Sequence, residues 1–133
     1  MRLLILLLPF FCFCACTYSE TQPYYGNNNI VQGKGGTMLS YEGVEFWENG
    51  DPPRKYKIIS VLDDNRPNAL IPSLTQKKDV ASKVKEANGD AVILIEDMDK
   101  ITGFSGNVNY TGQVDVSANS RKVRKYYIIK YLD

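Results

Sequence analysis

A chain of 133 residues has room for one domain, and its 16 Lys and Arg against 15 Asp and Glu give no global field that would steer it onto nucleic acid. It has no histidine, and its three cysteines, Cys12, Cys14 and Cys16, all lie near the N-terminus. Ser-His-Asp and Cys-His catalysis are thereby excluded from the rest of the chain, as are zinc and copper sites built on imidazole or thiolate.

Met1-Arg2 is a short positive start, followed over residues 3–13 by a run that is apolar apart from one proline. The run is shorter than the roughly 20 residues a membrane-spanning helix needs, and has the length of a secretory h-region. Residues 1–15 are therefore read as a signal peptide. Phe13-Cys14-Ala15-Cys16 resembles the lipobox of bacterial lipoproteins, matching it at Ala15 and Cys16, with Phe13 where Leu is usual and Cys14 where Ala or Ser is usual. The resemblance implies lipidation at Cys16, a membrane partner through that anchor, and residence in the bacterial cell envelope. Thr17 in place of Asp after the cysteine favours the periplasmic side of the outer membrane.

Residues 16–37 read as a lipidated N-terminus and flexible tether, because Tyr24-Tyr25-Gly26-Asn27-Asn28-Asn29 and Gly33-Lys34-Gly35-Gly36 are turn-rich with little apolar periodicity. The second cluster lacks the spacing of a phosphate loop. The domain is expected over residues 38–133. Gly43-Val44-Glu45-Phe46-Trp47 alternates as a short strand, Asn49-Gly50-Asp51-Pro52-Pro53 forms a turn, and residues 55–62 read as a central strand that Asp63-Asp64-Asn65-Arg66 ends.

The principal helix is expected over residues 73–88. Ser73 and Gln76 have capping-box spacing, Val80, Val84 and Ala87 recur on one stripe beside Ala81, and Asn88-Gly89 supplies the stop. Ala91-Val92-Ile93-Leu94-Ile95 follows as a strand covered on both faces. A weaker segment surrounds Ile101 and Phe104. Val108, Tyr110, Val114 and Val116 then recur at even spacing as one half-exposed strand interrupted by Gly112, and Ala118-Asn119-Ser120 turns the chain into a closing strand over residues 121–132. The expected architecture is α+β, a mixed sheet of about five strands with one helix on one face, in the order β-β-α-β-β-β.

The strand over residues 55–62, the helix ending in Asn88-Gly89-Asp90-Ala91-Val92-Ile93 and the β-rich tail resemble small bacterial envelope lipoproteins. The nearest shape is the α+β domain of the Rcs stress-sensing outer-membrane lipoprotein, and a family named for heavy-metal binding is similar.

Among candidate sites, Ser82-Lys83-Val84-Lys85 matches S-x-x-K without its companion motifs. Asp63, Asp64, Glu96, Asp97 and Asp99 could form a carboxylate or divalent-ion site if their strands were adjacent, which defines an enzymatic alternative. Arg121, Arg124, Lys125, Tyr126 and Ile128 form a basic and aromatic mixture read as an interaction surface for an envelope protein, lipid or cell-wall polymer. The function expected is a membrane-anchored, non-catalytic binding module, with no cofactor, no metal and no nucleic-acid partner. A structural subunit of an envelope complex is the other alternative.

Overall fold

The computed structural model describes residues 18–67 and 73–133, and seven of its eight elements are strands. The signal peptide, Cys16 and the side chain of Ser73 lie outside the described residues. The strands are β1 (Ser19–Pro23), β2 (Ile30–Gln32), β3 (Gly35–Tyr41), β4 (Val44–Asp51), β5 (Lys55–Pro67), β6 (Ala91–Val108) and β7 (Val114–Tyr131). The helix α1 (Ser73–Glu86) enters between β5 and β6. One sheet holds them all in the order β1-β5-β7-β6-β4-β3, with β2 also on β5. Among the described residues, only the β4–β6 pairing is parallel.

This corrects the α+β expectation. The protein is mostly β, with five strands before the helix and two after it. The stretch read as a tether is largely sheet. Ser19 to Pro23 pair with Asp64 to Ser60, and Ile30 to Gln32 pair with Lys57 to Lys55, so both short strands cap the same edge of β5. β3 and β4 meet through a two-residue turn in which Glu42 and Gly43 both have positive φ (50° and 79°), the hairpin geometry that suits a twisted sheet. Gly36 and Gly50 face each other in that hairpin. A Cβ on Gly36 would fall 1.9 Å from the carbonyl oxygen of Asn49, so the backbones approach as only glycine permits.

The sheet is apolar on both faces. On the helix face, Val80, Ala81 and Val84 of α1 pack on Val44, Phe46, Leu62, Val92, Tyr126 and Ile128. On the far face, Trp47, Tyr56, Ile58, Ala91, Ile93 and Ile129 form a second cluster closed by Tyr24 and Val31. The Tyr24 ring stands edge-on to Tyr127 at 5.5 Å. The segment without apolar periodicity thus covers half the core.

The helix ends as its sequence dictates. Asn88 takes positive φ (59°), Gly89 N–H donates to the Val84 carbonyl at 2.9 Å and Asn88 N–H to that of Lys85 at 3.0 Å, a Schellman cap. A Cβ on Gly89 would meet the Ile128 side chain at 2.5 Å, which is why the chain needs glycine there. At that same end of the sheet, Arg54 grips Asp133 at 2.8 Å and lies 3.9 Å over the Tyr131 ring.

Candidate interaction surface

β5 and β6 run parallel, but β7 lies between them, so their acids meet cations rather than one another. Lys125 stands opposite both Asp63 and Glu96 and lies 3.8 Å from each. Arg124 reaches Asp97 at 3.3 Å, and Lys122 reaches Asp97 at 2.8 Å and Asp99 at 3.7 Å. Arg121 donates to the Asn65 side chain at 2.8 Å. Burial pushes the Asp97 carboxyl up, but Lys122 and Arg124 outweigh it and hold it below its usual value. The basic run is consequently a neutralised band across three strands. Among the described residues, no three carboxylates gather where they could hold a metal ion.

Inward from this band, beneath α1, lies a polar cluster that the sequence conceals. Asp64 and Arg66 continue the inward alternation of Leu62, although Asp63-Asp64-Asn65-Arg66 reads as a turn. Arg66 (2% exposed) pairs with Asp64 (1% exposed) at 2.7 Å and reaches Asp79 of the helix at 3.1 Å. Ser19 donates to Asp64 at 2.9 Å, and the Tyr18 ring lies 5.4 Å from the guanidinium. Burial alone would lower the Arg66 pKa, but the two carboxylates raise it overall. Gln76 joins the cluster: it donates to the Tyr126 hydroxyl at 2.9 Å and accepts from Arg124 at 3.2 Å. No buried side-chain polar atom among the described residues is left without a partner. The cluster is saturated, with no donor or acceptor turned to an open cleft.

Two of the five surface candidates are therefore corrected. Tyr126 (4% exposed) and Ile128 (0%) belong to the core under α1. The alternation that sends them away from Tyr127 and Ile129 holds, but both sides of the sheet are covered. Arg121, Arg124 and Lys125 remain half-buried and paired.

The exposed surface lies farther along the same strands. Beyond Arg121, the strand pairing of β7 among the described residues is with β6, and residues 101–120 form a two-stranded ribbon past the edge of the core. What reads as one strand is a hairpin: Val108 pairs with Val114, and Gly112 (φ 82°) sits in the turn. Even spacing persists through the turn because the facing positions share a side. Ile101, Phe104, Val108, Val114, Val116 and Ala118 fall on the helix side of the sheet, continuing the row of Arg124 and Tyr126. Phe104 is 71% exposed and Val116 66%. The opposite side carries Ser105, Asn107, Asp115, Ser117 and Asn119, with the Ser105 and Ser117 hydroxyls 3.0 Å apart. At the tip, Asn109 Oδ1 accepts from the backbone N–H groups of Thr111 and Gln113, and Tyr110 is fully exposed.

Comparison with protein-family models, characterised proteins and solved structures returns no match. The site must be judged on its own geometry. No helix among the described residues is long and apolar enough to cross a membrane.

The first described residues lie beside the root of the ribbon. Tyr18 accepts a hydrogen bond from Asn65 N–H at 3.0 Å, and β1 runs from there away from the ribbon. Asn65 lies two pairs from Arg121, at the ribbon's root.

Proposed function

We propose that the protein is a lipid-anchored, non-catalytic interaction module of the bacterial cell envelope, held at the membrane through Cys16. The observation that supports a binding role is the exposed apolar face of the ribbon over residues 101–120, at one end of the sheet. The absence of histidine and the pairing of every acid in the central band with a cation support a binding role over an enzymatic one. Each buried methylene of an acyl chain adds about 0.8 kcal/mol of membrane affinity, so several chains hold a domain of this size durably.

Mass spectrometry of the native N-terminus, with membrane fractionation of Cys16→Ala, tests the reading. An acylated cysteine at residue 16 and slower or lost membrane association in the variant are expected. An unmodified N-terminus with the leader retained would overturn it.

A further inference from the structure

We infer that β3 is the docking edge of a homodimer: the β3 strands of two copies pair antiparallel about Met38, and one sheet runs through both. The inference names a second copy of this chain as the partner and stands apart from the anchor reading, since nothing in it depends on lipid.

The two edges of the sheet are treated differently. β1 and β2 close the side of β5, whereas β3 ends the sheet on the other side with no described strand beyond it. Edge strands are ordinarily guarded by lysine, proline or a bulge. Gly35–Tyr41 has no charged residue and no proline. Its ladder to β4 is bulged at Thr37/Met38, but the extra residue is Glu48 of β4, so β3 itself stays regular. Charge stands only at the two ends of the strand, with Lys34 before it and Glu42 after it.

Which groups face outward follows from the turn. Glu42 and Gly43 make a two-residue loop, so Tyr41 and Val44 exchange hydrogen bonds and the antiparallel ladder alternates from there. Leu39 bonds inward to Phe46, while the N–H and C=O groups of Ser40, Met38 and Gly36 point away from β4. Among the described residues, nothing bonds these outward groups.

A second copy must match residues 36, 38 and 40 with one another. Pairing Met38 with Met38 of the other copy is the register that also matches charge. Gly36 then meets Ser40 and Ser40 meets Gly36, giving about six main-chain hydrogen bonds. Gly35 stands opposite Tyr41, which leaves room for the ring, and Lys34 of each copy reaches the level of Glu42 of the other. Lys34 is exposed and in no ion pair among the described residues, and Glu42 has Lys85 at 3.9 Å. A slip of two residues either way sets Lys34 against Ser40 or Val44 and loses both contacts.

Packing favours the same partner. Met38 stands opposite Trp47 on the far face and Leu39 opposite Phe46 on the helix face, yet at the end of the sheet they are 44% and 46% exposed. The second strand sets Met38 against Met38 and Leu39 against Thr37, extending each buried cluster across a two-fold axis. One such strand pair buries less than the roughly 800 Å² per partner of a standard interface, so the association is reversible.

The full chain with Cys12, Cys14 and Cys16 changed to Ser has no thiol, so a single added cysteine reports its neighbour by disulfide formation under mild oxidant. Met38→Cys should form a covalent dimer about tenfold faster than Thr37→Cys or Leu39→Cys alone, whose like positions lie diagonally about 7–8 Å apart, too far for an unstrained disulfide. Mixing Thr37→Cys with Leu39→Cys should give the heterodimer, because those two residues face each other. Non-specific association of the apolar leader cannot produce this pattern. Tyr110→Cys, fully exposed at the ribbon tip, sets the rate of random collision. Adding Ser40→Pro removes an outward N–H while sparing the ladder to β4, and should bring Met38→Cys down to that rate. Lys34→Glu should slow it as well. A Met38→Cys rate equal to that of Tyr110→Cys would overturn the proposal, as would equal trapping at 37, 38 and 39. So would fast trapping that Val116→Asp abolishes and Ser40→Pro leaves intact, which would place the interface on the ribbon.

Discussion

Arg66 and Asp64 illustrate how much of this protein is decided by single side chains. Removing one member of a buried ion pair strands the other, and typically costs about 3–5 kcal/mol. Arg66→Met should lower the urea midpoint accordingly, with the β-sheet circular dichroism kept at low denaturant. Asp97 gives a prediction with a definite sign. Its pKa is held below the ordinary 3.8 by Lys122 and Arg124, so the folded state binds this proton less readily than the unfolded chain. The stabilisation is complete above pH of about 4 and disappears as pH falls through the lowered folded value. Denaturation curves of the wild type and Asp97→Asn should therefore differ at neutral pH and converge in acid. The basic run was legible as composition, but its partners were not: Asp63, Glu96 and Asp97 lie far from residues 121–125 in the chain, and only the register joins them.

At the level of elements, the helix was the most readable part of the sequence. Val80, Val84 and Ala81 all reach the core, and the Asn88-Gly89 stop is a true left-handed cap. Asn88→Val should cost about 1–2 kcal/mol, the penalty of a left-handed conformation for a residue with a full side chain, measured by thermal or urea unfolding. The capping box rests on the Ser73 side chain, which lies outside the described residues, and Gln76 also has inward partners in Tyr126 and Arg124 that its spacing does not announce. β6 was misread because of its charges. Asp97, Asp99 and Lys100 break its apolar run and look like a loop, yet each stands opposite a residue of β7 and the strand continues for 18 residues. The hairpin at Gly112 was hidden by an alternation that survives it.

Across the whole molecule, the sequence concealed the role of residues 18–37. Glycine and asparagine suggest a spacer, but β1 and β2 seal the edge of β5 while Tyr24 and Val31 close the far cluster. A chain begun at Met38, the boundary composition favours, would lose both strands and the Ser19–Asp64 hydrogen bond. It should show no cooperative thermal transition by circular dichroism, whereas a chain begun at residue 16 should melt as one unit. Sheet edges left bare in this way also invite association, so the shorter chain should enter large aggregates by light scattering.

The Arg54–Asp133 bridge closes the sheet at the pole opposite the ribbon. A reporter fused after Asp133 would project from that pole and leave the far ribbon unobstructed.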